Sequence, residues 1–490
     1  MLGRGNLRYN RSIMSRIRTS QMRTVERPVC LPLVVLLAWL LGMSGCTYLH
    51  TRSPGDRISY EEDVGRQFAL EASAYFRWMD EPEVLDFVKS IGHRIAAQVV
   101  GTPYEYHFYV IRDPTMNAFA VPGGHICFFA GLIAQVDNVD GLAGVMAHEI
   151  SHVEENHFIR GQQKMEVANV ATLAATILAA ALGGGQGAMA GATLAQAAQQ
   201  TASLHYSREF EREADREGIQ LVQRAGFDPN GMVSVFKKFH ALARLNAADL
   251  PPYFYTHPLP AERIYEVDGW VKAMQTVHRS RPKLETQFEL ARITARLRTE
   301  RFEALEARQK ARVEGAPGNA QARFLLGYLY LKRGNLSLAV EHLQKAFDMD
   351  SSVVEHYMYL ARAYHLSGNL VRAKQLLELA YEIEPQNTLV EVYYGDLMAV
   401  GEGWLKALQH YQRAVVLNPR SCIAHASLAK AYERIQERGK SYYELALSDK
   451  CAGRYLKAVY YFQKALKYLN EDGREAKLAQ AELEWMGVEP

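Results

Sequence analysis

The chain has 490 residues, 48% hydrophobic and 22% charged, and a formal net charge of +2 at neutral pH. Seven arginines and one glutamate fall in residues 1–45, a surplus of +6, so the remainder carries −4. A mildly acidic body without a basic tract excludes nucleic acid as an expected partner, and five cysteines are too few for a disulfide-built scaffold. The length suits several domains with sizeable cores.

Taken in chain order, residues 31–42 form an apolar core behind Arg23 and Arg27. It is shorter than the roughly 20 residues a spanning helix needs, and its basic flank makes it a secretory signal. Met22 would start a compact leader of that kind. Met43-Ser44-Gly45-Cys46 resembles the bacterial lipobox, whose cysteine is lipidated and becomes the first mature residue, although Met43 stands where that pattern prefers leucine. Ordinary signal cleavage nearby is the other reading. By the same resemblance, Thr47 in place of aspartate favours the outer membrane. The lipobox implies a bacterial, periplasmic setting, oxidising enough for disulfides, with the membrane surface contacted through Cys46. Residues 1–45 are thus expected to be a signal peptide and 46–57 a lipid-anchored linker.

From Tyr60 to Gln98, Val64, Phe68, Val84, Phe87, Val88, Ile91 and Ile95 keep helical spacing. Residues 104–111 alternate polar and apolar, with aromatic and β-branched types, which predicts a strand. Residues 117–130 predict a strand pair around Pro122-Gly123-Gly124. A strand there would either be purely structural or receive an extended peptide by edge addition.

An H-E-x-x-H pentapeptide comes next, His148-Glu149-Ile150-Ser151-His152, inside a helical pattern. Histidines four apart project from one helix face within reach of one metal ion, and imidazole nitrogen suits zinc. Glu149 lies where its carboxylate can take a proton from a water on that metal. His157, five residues past His152, falls off the ligand face and is expected to be packed or solvated. Residues 167–198 are rich in Ala, Leu and Ile and are split by Gly183-Gly184-Gly185-Gln186-Gly187. Each half is too short to span a bilayer, which leaves a hinged hairpin covering the site or touching a membrane, or a pair of buried helices. Glu211 and Asp215, four apart, share a face of a further helix. A glutamate there completes a site of two histidines and one glutamate, and the aspartate can hydrogen-bond a ligand histidine.

His148-Glu-x-x-His152 with Glu211-x-Glu-Ala-Asp215 resembles the peptidase family that contains the heat-shock protease HtpX and the CAAX prenyl endopeptidases. Asn117-Ala-Phe-Ala with Gly123-Gly124, and Thr256-His257-Pro258 with Arg263, match its pattern as well. The resemblance implies one Zn2+ per chain held by His148, His152 and Glu211, with Glu149 as general base and acid and Asp215 orienting a ligand. His257 would stabilise the oxyanion, occupy the zinc's open position at rest, or cap the next helix; the second is preferred, because a mobile loop would then keep a secreted protease inactive. Arg263 is an alternative partner for the oxyanion or a substrate carboxylate.

Gly327, Tyr330, Gly334, Ala339 and Ala346 recur 34 residues on as Ala361, Tyr364, Gly368, Ala373 and Ala380, a period that resembles tetratricopeptide repeats. A further step finds Gly395, Ala407, Tyr411 and Ala414, after which the register breaks and an extra helix at 424–435 is expected before a fresh unit. A stack of such units has a concave face suited to peptides or helices of other proteins. Cys422 begins the inserted helix and Cys451 ends the next, so the two sulfurs can pair if those helices are antiparallel neighbours.

The expected fold is mainly α: a gluzincin-type metalloprotease domain with a small β-sheet at 58–280, a helical connector at 281–318 and an α-solenoid of repeats at 319–490. With the leader, this combination resembles the β-barrel assembly-enhancing protease group. That implies a zinc endopeptidase of the bacterial envelope degrading misfolded or misassembled outer-membrane proteins. The repeats would recruit these unfolded substrates or the outer-membrane β-barrel assembly machinery. A chaperone or assembly adaptor with a largely silent protease site is the alternative.

Overall fold

A computed structural model describes residues 54–162, 170–181, 207–245, 253–274 and 281–489. The leader, the Cys46 anchor and the glycine-rich stretch at 183–187 lie outside the described residues. Among the described residues, no helix is long and apolar enough to cross a membrane.

Helices α1 (Pro54–Tyr75) and α2 (Pro82–Ala96) precede strands β1 (His107–Ile111), β2 (Ala118–Val121) and β3 (His125–Phe129). The sheet order is β1-β3-β2, with β3 parallel to β1 and antiparallel to β2. Gly123 and Gly124 turn the hairpin at φ of 77° and 83°, and a Cβ on Gly123 would meet the Glu61 carbonyl at 2.7 Å. Only glycine satisfies both demands.

Side chains alternate between the two faces of a strand. Phe108, Val110, Ala118, Ala120, Ile126 and Phe128 enter the core that holds the H-E-x-x-H helix. Tyr109, Ile111, Phe119, Val121, Cys127 and Phe129 enter a second core with Val64, Phe68, Leu173 and, from the far end of the chain, Phe462. Both faces are covered, so β2 and β3 are buried at every residue.

Helix α3 (Ala130–Gln135) leads into α4 (Val139–Glu154), capped by Asn138 Oδ1 accepting from Gly141 N at 2.8 Å. Short α5 (His157–Gln162) is succeeded by α6 (Val170–Ala181), α7 (Arg208–Arg224), α8 (Asn230–Leu245), α9 (Tyr253–Thr256), α10 (Ala261–Ala273) and α11 (Pro282–Thr299). Residues 170–181, from the stretch expected to be a hinged hairpin or a pair of buried helices, pack against α1 with Leu173, Ala174, Ile177 and Leu178 buried.

Beyond the helix at Phe302–Gly315, antiparallel pairs repeat: Ala320–Arg333 with Leu336–Met349, Val354–Leu366 with Leu370–Ile383, and Thr388–Gly401 with Trp404–Leu417. Of the small residues in the 34-residue pattern, Gly327 and the alanines stand where helices touch, whereas Gly334 and Gly368 make the left-handed turns between helices. A Cβ on Gly395 would lie 2.5 Å from the Tyr411 ring. Helices Cys422–Arg434, Arg438–Cys451, Tyr455–Leu466 and Arg474–Trp485 continue the stack, and Cys422 and Cys451 form a disulfide.

The first helices of successive pairs approach one another more closely than the second helices do, which puts them on the inner side of the stack. That side is not open where the first units lie. Leu290 and Ile293 of α11 join Phe324 and Tyr328 in one apolar core, and Thr294 Oγ1 sits 2.6 Å from Tyr328 OH. Glu83 of α2 is met by Lys332 Nζ at 2.9 Å and Tyr359 OH at 3.2 Å. At the other end, Tyr455 OH lies 2.7 Å from Tyr109 OH of β1.

Candidate metal centre

Helix α4 carries His148 and His152 on one face, and their Nε2 atoms converge to 3.0 Å. Helix α7 begins at the Ser207 cap, whose hydroxyl accepts from Phe210 N at 3.2 Å, and crosses α4 almost backbone to backbone. A Cβ on Gly218 would stand 3.2 Å from His148 N and 3.3 Å from Ala147 C. This approach brings Glu211 Oε1 to 3.3 Å from His152 Nε2 and Oε2 to 3.6 Å from His148 Nε2. His257 lies just past α9 and stacks on Tyr253 at 4.7 Å. Its Nδ1 lies 2.9 Å from Glu211 Oε1 and 3.3 Å from His148 Nε2.

One donor atom from each of His148, His152, Glu211 and His257 lies within 4.8 Å of the others, in a wholly buried cluster. Nitrogen ligands about 2.0–2.1 Å from a tetrahedral zinc stand about 3.3 Å apart, so the donor set fits a metal of that size. The first three donors are those expected from the motifs, and His257 is the fourth member of the cluster.

Glu149 is fully buried, and neither carboxylate oxygen has a hydrogen-bond partner; His257 Nε2 is 3.6 Å from Oε1. Burial pushes its carboxyl up, against the pull of His257 and His148. Asp215 Oδ1 lies 3.0 Å from His148 Nδ1. Arg263 reaches Asp215 with Nε at 2.5 Å and Nη2 at 2.8 Å, pairs with Glu211 and donates to the Pro258 carbonyl at 2.9 Å. Burial alone would raise both carboxyls. Arg263, joined by His257 at Glu211 and His148 at Asp215, outweighs it and holds both below their ordinary values. The guanidinium is therefore committed to two carboxylates and a carbonyl, which argues against the oxyanion or substrate-carboxylate role considered for Arg263. The helix-capping role for His257 also falls away, because Pro260 is the residue preceding α10.

His157 is packed, as expected, and lies outside the donor cluster, but it also reaches back to a ligand histidine. The helix ends at Glu154, and Asn156 at φ of 52° turns the chain, so a 100° step no longer describes the residues beyond it. His157 Nδ1 returns to 2.9 Å from His152 Nδ1, while its Nε2 lies 2.9 Å from Glu213 Oε2. Donation from His152 Nδ1 to His157, and from His157 Nε2 to Glu213, leaves His152 Nε2 bare for a metal. The signal was present in Glu213, between the ligand and the aspartate of the second motif, but only folding pairs it with His157.

Two histidines and a glutamate on crossed helices, a second glutamate beside the first histidine and a small sheet alongside define a metallopeptidase-class domain. Residues 86–271 match the profile of Peptidase family M48, and residues 291–352 and 326–388 match that of the Tetratricopeptide repeat. The chain therefore carries a family M48 peptidase domain followed by tetratricopeptide repeats, the first repeat match beginning inside the segment read as a connector.

It is 32% identical over 220 residues to the "Beta-barrel assembly-enhancing protease" of Escherichia coli, covering 44% of this chain and 45% of that one. With the "Putative beta-barrel assembly-enhancing protease" of Vibrio cholerae it shares 29% over 240 residues, 47% and 49% of the two chains. With "Mitochondrial metalloendopeptidase OMA1" of Schizosaccharomyces pombe it shares 30% over 189 residues, 39% and 53%. The chain spans about half the length of the curated relatives it matches.

Proposed function

We propose that this protein is a zinc-dependent endopeptidase of the bacterial cell envelope that degrades misfolded or misassembled outer-membrane proteins. The observation that carries the chemistry is the convergence of His148, His152 and Glu211 beside the buried carboxylate of Glu149, which has no hydrogen-bond partner. These three residues would hold Zn2+, which when bound supplies a Lewis acid and acidifies water. Asp215 orients His148 through Nδ1, and His157 does the same for His152. Glu149, held by burial at a raised pKa, takes the proton of the attacking water and hands it to the departing amine. His257 would be a fourth donor at rest and would have to move away before substrate enters; the complete burial of the site supports this reading. The edge strand β2, at the end of the sheet nearest α4, is the candidate to pair with an extended peptide.

The printed names of the bacterial relatives support an envelope substrate and a link to β-barrel assembly. The leader and the lipobox-like Cys46 support a periplasmic location with a lipid anchor in the outer membrane. The repeats recruit substrate or assembly machinery through surface left uncovered by α2 and α11. Residues 58–280 form the peptidase domain, 281–318 a connector and 319–490 the repeat domain.

Cleavage of an unfolded protein, lost on adding a chelator and in Glu149→Gln with its zinc content unchanged, is the expected result. The enclosed site, with His257 among the donors, also favours a second reading, an assembly adaptor whose protease is mostly silent. Cells lacking the protein and fully rescued by Glu149→Gln would decide for the adaptor.

A further inference from the structure

The disulfide Cys422–Cys451 stands in unusual company. Cys422 is the first residue of its helix and is 3% exposed, whereas Cys451 is the last residue of the next helix and is partly exposed. Lys89, reaching over from α2, places Nζ 2.9 Å from Cys451 Sγ and 3.6 Å from Cys422 Sγ. It is held there by the carbonyls of Cys451 at 2.8 Å and Arg420 at 3.3 Å. The nearby Asp86 carboxylate is engaged by Ser421 Oγ at 2.9 Å.

A neutral disulfide gains little from an adjacent ammonium. A thiolate gains a great deal, and more again at a helix N-terminus, whose free amides favour negative charge. We propose that Cys422–Cys451 is a thiol–disulfide exchange site, with Cys451 the sulfur attacked, Cys422 the stabilised leaving group, and a dithiol oxidoreductase or small dithiol the reacting partner. Burial, with Arg420 adding to it and Asp86 opposing, lowers Lys89 to about 8, which leaves it mostly charged at neutral pH.

The exchange balances without further reagents. The partner's thiolate attacks Cys451 Sγ, the S–S bond breaks and Cys422 leaves as a thiolate beside Lys89. The partner's second thiol, deprotonated, then attacks its own sulfur in the mixed disulfide and releases Cys451 as a thiolate. The protein pair gains two electrons and two protons, and the partner becomes a disulfide. Because Lys89 belongs to α2, the redox state of the repeats is linked electrostatically to the peptidase module. This inference does not depend on proteolysis.

The test is native reduction of the full chain by dithiothreitol at neutral pH, quenched with N-ethylmaleimide and read by mass spectrometry of the Cys422 and Cys451 peptides. The pair in the unaltered protein is expected to open far faster than the chain unfolds. Lys89→Met should slow it about tenfold, because the leaving thiolate loses the ammonium that stabilises it, while Lys89→Arg stays within about threefold. Because Lys89→Met can also loosen the packing, the equilibrium against glutathione is measured as well and should shift about tenfold toward the disulfide. Reduction that merely tracks global unfolding overturns the proposal, as does a Lys89→Met variant with unchanged equilibrium or faster opening.

Discussion

Replacing Arg263 by methionine keeps an unbranched stem but removes the guanidinium and its charge. In the unaltered protein the guanidinium neutralises Asp215 and Glu211, which are 0% and 1% exposed. Breaking one partner out of a buried ion pair costs about 3–5 kcal/mol, because the remaining charge is left uncompensated. With chelator present, both carboxylates are stranded, and Arg263→Met should lose that full amount in urea unfolding. With zinc present, Glu211 has another cation to hold and Asp215 still faces His148 Nδ1, so the loss should be smaller by at least about 1 kcal/mol. Arg263→Lys should fall between the two proteins, because an ammonium cannot reproduce the bidentate contact with Asp215. Acid sensitivity gives a second readout. Glu211 and Asp215 have depressed folded pKa values, so their stabilisation is present above the unfolded value near 4 and is lost as pH falls below it. Without Arg263 both take protons at higher pH, and the acid transition should move upward. Equal losses with zinc and with chelator would refute the charge-compensation argument.

Gly218→Val puts a branched side chain where even a Cβ lies 3.2 Å from the α4 backbone. We expect a loss of about 1–3 kcal/mol and weaker zinc retention, because α7 is pushed off α4; unchanged zinc affinity would show that the helices have slack. His157→Phe keeps the ring but removes the acceptor for His152 Nδ1, and zinc affinity by chelator competition should fall at least about tenfold. No change would mean that His152 is oriented without it. His107 is pushed down to about 4 by burial, with Lys450 adding to it and Glu105 opposing. Its depressed folded pKa stabilises the chain above the unfolded value of about 6.5, and that stability is lost as pH falls from there toward 4. Urea unfolding should therefore show about 1–2 kcal/mol less stability at pH 5 than at pH 8 from this group, and His107→Phe should flatten that slope.

The active-site helices were legible because their signal is local. Two histidines at i and i+4, and Glu211 with Asp215 at the same spacing, share a face whatever surrounds them. The 34-residue period of small residues is local in the same sense, since the alanines and Gly327 mark contacts between neighbouring helices, and Gly334 and Gly368 the left-handed turns that join them. That His157 packs was legible, but its contact with His152 was not, because the regular geometry stops at the left-handed Asn156. The concave face of the repeats reads as free surface in the sequence. Phe324 and Tyr328 give no sign that α11 covers them, and Glu83 gives none that Lys332 and Tyr359 will meet it.

The sequence by itself determined the donor types, the base beside them and the stacking of the repeats, because helical and repeat periodicity carry those relations over short distances. Tertiary structure alone decided that Arg263 serves Glu211 and Asp215, that both sheet faces are buried, that His157 backs His152 and that Lys89 stands over the Cys422–Cys451 pair. Each of those relations joins residues whose separation along the chain does not fix their distance in space. They are set by which apolar faces pack together, and the charges then take the partners that packing leaves within reach.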